Sequence, residues 1–354
     1  MAWTEKTRSG TFRVGWMDET GQHYKGGFAT KQDAARYVTR IESDGAPSGL
    51  TLNEYAGQVF DSSFDLRGST LYAYRKTFQK HVADKIGRKT LGDLSTDDMR
   101  RYFTDLEAGP SAQASVYRVV AKVLNSAERE GVIGKSPLRP IRKPKDTRRR
   151  EVRPLPIEDI EALASAVNPY FRLAVLLAGY AGLRGGEIGG LRLSDVDIEN
   201  RQIQVVQATA RHGGQRVLGE VKTAAGRRRI DVPEFLVQEC VAHFDRFGTA
   251  PDGRLFQTSE GNLVVNQTLD GALQKAATLS FTNGEAKVRF HDLRHTCAAL
   301  MVAQGAHPKM IQQHMGHSSI SITLDVYGHL FPSLGRDVAD ALGEARARSN
   351  EEER

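Results

Sequence analysis

Apolar and polar positions divide the 354-residue chain into three stretches with different periodicities. Near the amino end, residues 11–17 and 22–28 form short, partly aromatic runs separated by Asp18-Glu19-Thr20-Gly21, the punctuation of a β-hairpin. A helix is expected next, because Thr30 can cap it with Asp33 three residues on, and Ala34, Val38 and Ile41 share one face. Asp44-Gly45-Ala46-Pro47-Ser48-Gly49 then breaks the pattern as a linker. From 51 to 131 no strand alternation appears. Helical spacing and two capping signatures there, Thr51 with Glu54 and Ser95 with Asp98, predict four or five helices. The remainder has helical periodicity at 157–167 and 170–180, strand-like runs at 203–208, 214–221 and 227–232, and helices again from 265 onward. That order predicts an α+β domain dominated by helices.

The length leaves room for two or three domains, and a composition 40% hydrophobic and 26% charged excludes a collagen-like or wholly disordered chain. The two cysteines, Cys240 and Cys297, lie in apolar, helix-like contexts, which argues against a disulfide scaffold and for a reducing cytoplasm. The longest uncharged apolar stretch, between Arg172 and Arg184, falls short of the roughly 18 residues of a membrane span. The amino end lacks the apolar core of a signal peptide, so a cytoplasmic protein with no membrane partner is expected.

The net charge of +6 is modest, and its distribution says more than its size. Residues 135–153 hold nine basic and two acidic side chains, a local +7 that exceeds the charge of the whole chain. Five prolines lie between 137 and 156 and discourage regular structure. This segment reads as a basic interdomain strap whose Arg142, Lys143, Lys145, Arg148, Arg149 and Arg150 can follow a phosphate backbone, although a merely soluble linker would carry the same residues. A second basic run contains Arg75, Lys76 and Lys80, interleaved with Tyr72, Tyr74 and Phe78. It suits either nucleic acid or a solvated helix face.

Six of the ten histidines lie between 291 and 329. His291 and His295, at i and i+4, could share a metal, but Arg294 would set a permanent cation beside it and no third ligand is evident. Metal-free phosphodiester chemistry suits these residue types better. Paired guanidiniums clamp non-bridging oxygens, and a tyrosine hydroxyl can hold the phosphoryl group covalently with its bond energy kept for resealing. Arg184 stands in Ala181-Gly182-Leu183-Arg184-Gly185-Gly186-Glu187, His291 and Arg294 stand at i and i+3, and Tyr327 follows His317 by ten residues.

Taken in order, Gly-Leu-Arg-x-x-Glu at 182–187, the lysine of Val221-Lys222-Thr223 with Arg227-Arg228-Arg229 after it, His-x-x-Arg at 291–294, Gly-His at 316–317 and Tyr327 resemble the tyrosine recombinase, or phage integrase, family. The resemblance covers essentially the whole third stretch, and the type it resembles is an actinobacterial phage or prophage integrase. It implies that Arg184 and Arg294 grip the scissile phosphate and that Tyr327 attacks it to form a 3′-phosphotyrosyl link. By the same resemblance Lys222 protonates the leaving 5′ oxygen, His291 assists proton transfer at the tyrosine, His317 bonds the phosphate and Glu187 gives structural support. His295 and His314 are assigned to packing or support. Gly185-Gly186 departs from the family's better helix formers and puts local rigidity in doubt.

The resemblance further implies a multidomain fold: a small hairpin-and-helix arm-type DNA-binding domain at 1–46, a helical, SAM-like core-binding domain at 50–133, the linker at 134–153, an α+β catalytic domain at 154–335 and a tail at 336–354. In the tail Leu334, Val338, Ala341, Leu342 and Ala345 make an apolar stripe suited to a neighbouring protomer or to its own domain. Expected partners are double-stranded attachment sites, a homotetramer at the synapse, a host DNA-bending factor and an excision partner, with no cofactor or metal and a place in the host cytoplasm at the nucleoid. A chromosome- or plasmid-resolving recombinase, a catalytically silent DNA-binding relative and a relaxing enzyme of the topoisomerase IB kind remain alternatives.

Overall fold

The computed structural model describes residues 2–18, 21–44, 49–64, 66, 68–144, 154–221, 223–280, 288–331 and 335–352. The expected turn at 19–20, the linker at 45–48, Leu334, Lys222, and Lys145, Arg148, Arg149 and Arg150 of the strap lie outside the described residues. The chain divides into two compact units, residues 1–150 and 151–354.

In the first unit β1 (Ala2–Lys6), β2 (Phe12–Asp18) and β3 (Gly21–Phe28) form an antiparallel sheet in that order, with α1 (Lys31–Asp44) after it. The hairpin is therefore joined by a third strand that the sequence pattern does not reveal, since Trp3 is its one large apolar side chain. Gly15 makes room for it: a Cβ there would lie 2.5 Å from the Trp3 ring. The Thr30 hydroxyl bonds the Asp33 carboxylate at 2.6 Å, and Val14, Trp16, Ala34 and Ile41 form a small core.

Four helices follow, α2 (Leu52–Asp61), α3 (Gly68–His81), α4 (Thr96–Thr104) and α5 (Pro110–Arg129). Both capping boxes form, Thr51 with Glu54 and Ser95 with Asp98, each satisfying backbone donors that a helix start leaves open. Valines 116, 119, 120 and 123 of α5 pack against Tyr55, Val59, Phe60 and Phe78. The described part of the segment expected as a strap, 134–144, includes packed residues. Ser136 and Leu138 are buried, Tyr117 Oη donates to the Ile141 carbonyl at 3.0 Å, and Arg139 pairs with Glu128 at 2.5 Å. Leu138 anchors the segment in the helical core, and Pro137 and Pro140 lie in a turn beside it; Arg142 and Lys143 beyond are exposed.

The second unit comprises α6 (Ile157–Ala166), α7 (Arg172–Tyr180), α8 (Gly185–Gly190), β4 (Val196–Asp197), β5 (Gln202–Val205), β6 (Gln207–His212), β7 (Gln215–Glu220), β8 (Arg228–Asp231), α9 (Glu234–Phe247), α10 (Asn266–Ser280), α11 (Phe290–Ala303), α12 (Pro308–Met315), α13 (Ile320–Tyr327) and α14 (Gly335–Glu352). Strands order as β4-β5-β8 in one sheet and β6-β7 in another, all antiparallel. Residues 173–179 of α7 are buried on every face, which makes this helix the axis of the core; α6, α9 and α11 pack around it. No helix among the described residues is long and apolar enough to cross a membrane.

The glycines of α8, which weaken a helix in isolation, are required by its packing. A Cβ on Gly186 would lie 2.5 Å from the Thr209 carbonyl oxygen, and one on Gly189 would lie 2.1 Å from that of Val264. The helix thus lies directly on the backbone of β6 and its surroundings, and the doubt about local rigidity is answered by close contact. Gly189→Ala should lower stability by ~1–3 kcal/mol through overpacking. Gly57→Ala in α2, where a Cβ meets open space, should instead raise it by ~0.5–1 kcal/mol. Thermal unfolding of the two variants checks this, and equal melting temperatures would refute the packing account.

Candidate active site

The site starts at the turn between α7 and α8. Gly182 takes φ +63°, a left-handed conformation suited to glycine, and a Cβ there would lie 2.8 Å from Met315 Sδ. The chain then turns so that Arg184 stands at the cap position of α8. Glu187, one turn on, accepts from the Arg184 backbone N–H at 3.0 Å and from its Nη1 at 2.6 Å. Arg184 Nη2 donates to the Gly316 carbonyl at 3.0 Å.

Glu187 has a second cation. Arg228, on β8, donates Nη1 to Oε1 at 3.1 Å and Nη2 to Oε2 at 3.0 Å, a bidentate pair with both side chains almost fully buried. Its Nε donates to the His314 carbonyl at 2.6 Å, tying the sheet to α12. Burial alone would raise the Glu187 pKa, but the Arg228 hydrogen bonds and charge, with Arg184 and Arg294 behind them, hold it down to about 2.

Arg294, on α11, is 2% exposed, and its Nη1 and Nη2 donate to the carbonyls of Gly182 and Met315. Burial and then the Arg184 charge pull its pKa down to about 9, so it stays cationic at neutral pH. Tyr327, the last residue of α13, is 0% exposed and packs with Ala298, Val302, Ile311 and Met315. Burial pushes its phenol up to about 12, with Arg294 acting in the opposite sense. Its hydroxyl lies 2.7 Å from His295 Nδ1.

Arg184, Glu187, His291, Arg294, His317 and Tyr327 all line one cleft of about 590 Å³. Val221 and Thr223, on either side of Lys222 in sequence, line it too. His317 Nδ1 is 2.9 Å from the buried Thr323 hydroxyl, and its ring stacks on Tyr327 with centroids 6.4 Å apart. His314 Nε2 lies 3.1 Å from the Ala181 carbonyl. His291 is exposed, with its ring edge-on to His295 at 4.4 Å. The i, i+4 spacing puts both rings on one face, and the C-terminal one, His295, reaches the Tyr327 hydroxyl. Burial, followed by nearby cations, lowers His295, His314 and His317 to about 4.

Residues 154–333 match the model of the Phage integrase family. The chain belongs to this family. As a member it is a DNA breaking-and-rejoining enzyme. The integrase of Mycobacterium phage D29 is 26% identical over 284 residues, 78% of this chain and 74% of that protein. The putative prophage phiRv2 integrase of Mycobacterium tuberculosis is 25% identical over 304 residues, 85% and 79% of the two chains. The Tn1549 transposon integrase, solved with a circular intermediate DNA, matches with TM-score 0.71 at 22% identity over 84% of this chain and 99% of that one. A lambda integrase tetramer on a Holliday junction matches at 0.62 and 17% identity, over 94% and 95%. These two share the fold.

Two site contributors escaped the sequence reading as individual residues. Arg228 was one of three consecutive arginines, yet strand alternation separates them, because Arg228 shares the inward face of the buried Ile230 while Arg229 is exposed. His295, expected in packing or support, stands on the cleft face that its spacing from His291 marks, and its direct contact with the Tyr327 hydroxyl is not among the roles expected of it.

Two outcomes follow for stability. Glu187→Gln, which leaves Arg228 buried without its counter-charge, should cost about 3–5 kcal/mol in urea unfolding, and a loss under about 1 kcal/mol would refute the bridge. As pH falls from 6.5 to about 4, the unfolded chain takes up protons that folded His295, His314 and His317 refuse, so stability should decline, these three adding up to three protons of slope and His81, His243 and His291, lowered by burial as well, acting in the same direction. Glu187, depressed from 4.5 to about 2, should add loss from pH 4.5 downward. A urea midpoint that stays flat from pH 7 to 4 would refute the histidine contribution.

Proposed function

We propose that this enzyme is a site-specific tyrosine recombinase that integrates or excises phage or prophage DNA through a 3′-phosphotyrosyl intermediate. One observation carries the reading: a tyrosine, two arginines and three histidines share the wall of a single cleft whose described lining holds one carboxylate, itself committed to arginines.

Arg184 and Arg294 clamp the non-bridging oxygens of the scissile phosphate. Their positions are fixed beforehand by bonds to Glu187 and to the carbonyls of Gly316, Gly182 and Met315, so little reorganisation is needed as charge builds on phosphorus. Tyr327 Oη attacks, the P–O5′ bond breaks, and Lys222 protonates the departing 5′ oxygen. His291 assists proton traffic at the exposed mouth of the cleft. His317 Nδ1 is engaged by the Thr323 hydroxyl at 2.9 Å, which leaves Nε2 for the phosphate; as the Nε2–H tautomer it would donate there. Attack by a 5′-hydroxyl from the other duplex reverses the sequence and needs neither ATP nor a cofactor, since the phosphotyrosyl bond retains the energy.

Around this centre we assign an arm-type DNA-binding domain to 1–46, a core-binding domain to 50–133 and the catalytic domain to 154–335. Arg75, Lys76 and Lys80 line a groove of about 860 Å³ with Tyr72 and Phe78, a mixture of cations and aromatics that suits a DNA backbone. Arg75 is already tied to Asp61 at 2.6 Å, which makes Lys76 and Lys80 the more available pair. In the tail, Ala341, Leu342 and Ala345 are exposed on α14, which supports docking on a neighbour in a homotetramer. A host DNA-bending factor and an excision partner complete the proposed assembly.

The test uses attachment-site DNA recovered from the sequence flanking the gene, nicked so that the 5′ fragment escapes. Wild type should accumulate a covalent protein–DNA adduct, and Tyr327→Phe should form none while its affinity stays within about threefold. Wild-type protein that binds this DNA and yields no adduct would overturn the reading. Replacing Arg142 and Lys143 by Ala should lower the log–log salt slope of binding by about two, and an unchanged slope would remove them from the interface.

A further inference from the structure

We propose that His295 is a catalytic residue, the group that takes the proton from the Tyr327 hydroxyl during attack. This rests on the recombinase reading above and goes beyond it, because that reading gives the nucleophile no proton acceptor in contact with its oxygen.

The geometry carries the assignment. His295 Nδ1 and Tyr327 Oη stand 2.7 Å apart, the reach of a general base to its nucleophile, with the rings edge-on at 5.7 Å. His291, one turn earlier, is exposed and makes no hydrogen bond to Tyr327 among the described residues. Tyr327 is fully buried, so its hydroxyl cannot lose a proton directly to bulk water. On α11 the imidazole has His291, Asp292, Arg294 and Arg289 around it, and from α12–α13 it faces His317 and Tyr327. Burial, with the cations that outnumber the one carboxylate in that set, keeps the resting ring neutral. The proposed role requires the tautomer with Nε2 protonated and the Nδ1 lone pair directed at the hydroxyl. A dianionic, phosphate-bound transition state in the cleft reverses this balance and favours the imidazolium.

The step balances. As Oη bonds to phosphorus, its proton passes to Nδ1; the P–O5′ electron pair leaves with the 5′ oxygen, which takes a separate proton from Lys222. In resealing, the imidazolium returns its proton to the tyrosine oxygen as the P–O bond to Tyr327 breaks.

One measurement needs no DNA. In protein labelled with nitrogen-15 at histidine, His295 should be the Nε2–H tautomer at pH 7, and Tyr327→Phe should move its Nδ1 resonance while leaving that of His314 in place. An Nδ1–H tautomer, or no movement, overturns the proposal whatever the fate of the recombinase reading. The second measurement uses the attachment-site duplex with a 5′-bridging sulfur at the scissile phosphate, whose thiolate leaves without a proton. Lys222→Ala should then cleave within a few-fold of wild type, whereas His295→Ala should remain ~10²–10⁴-fold slow. His295→Asn offers an acceptor near the Nδ1 position without basicity. It should keep the wild-type melting temperature and DNA affinity, cleave at least ~10²-fold slowly, and speed up with rising pH. Wild-type cleavage by either His295 variant overturns the proton-acceptor role, with recovery by Asn alone leaving a positioning residue. Absence of any wild-type adduct, with the nitrogen-15 result intact, overturns the recombinase reading instead and removes the catalytic role with it.

Discussion

The catalytic unit depends on one buried carboxylate shared by two arginines. Glu187 receives Arg184 from its own helix and Arg228 from the sheet, and Arg294 adds a third guanidinium nearby. Three cations around one anion would repel if left to themselves. The remaining donors are met by the carbonyls of Gly182, His314, Met315 and Gly316, so each guanidinium is held by backbone dipoles in addition to charge. Those same bonds join the start of α8, the sheet, α11 and the end of α12, so the contacts that shape the cleft also hold the unit together. What the protein leaves uncompensated is positive charge, the complement of a phosphodiester.

The histidines report the same imbalance. His295, His314 and His317 are neutral at physiological pH because burial and the neighbouring arginines act in one direction. Neutral rings are useful here. They can accept a proton or donate one N–H without adding to the repulsion, and an incoming phosphate is the event that makes their protonation favourable. The glycines serve this arrangement through backbone shape. Gly182 and Gly316, both at positive φ, turn two carbonyls toward Arg294 and Arg184, and the glycines of α8 let that short helix sit on β6 without intervening side chains.

What the sequence made legible was local or periodic. The capping boxes at Thr51 and Ser95, the hairpin and the helix after Thr30 depend on residues within a few positions of each other, and all of them appear. The spaced motifs placed Arg184, Glu187, His291, Arg294, His317 and Tyr327 on one cleft. Three features escaped because they depend on distant partners. The strand at Ala2–Lys6 is stabilised by pairing with β2 and by the space that Gly15 leaves for Trp3, neither of which its five residues announce. The segment at 135–141 looked like a strap from its charge and prolines, but one apolar residue, Leu138, finds the helical core and Glu128 neutralises Arg139. Arg228 gains its role from Glu187, some forty positions away, and only strand alternation distinguishes it from its neighbours.

The burial of Tyr327 joins stability to reactivity. Read from sequence, an amphipathic core tyrosine and a nucleophile are competing descriptions, yet the ring occupies a small core with Ala298, Val302, Ile311 and Met315 and the same residue lines the cleft. With its phenol pushed up to about 12 by burial, Tyr327 rests protonated at neutral pH. Arg294, which opposes that rise, is the cation that a bound phosphate would also engage. In the proposed reaction, attack by Tyr327 would require an acceptor for its proton and an electrophile between the two guanidiniums at the same moment, and the apolar shell around the ring fixes the oxygen for both.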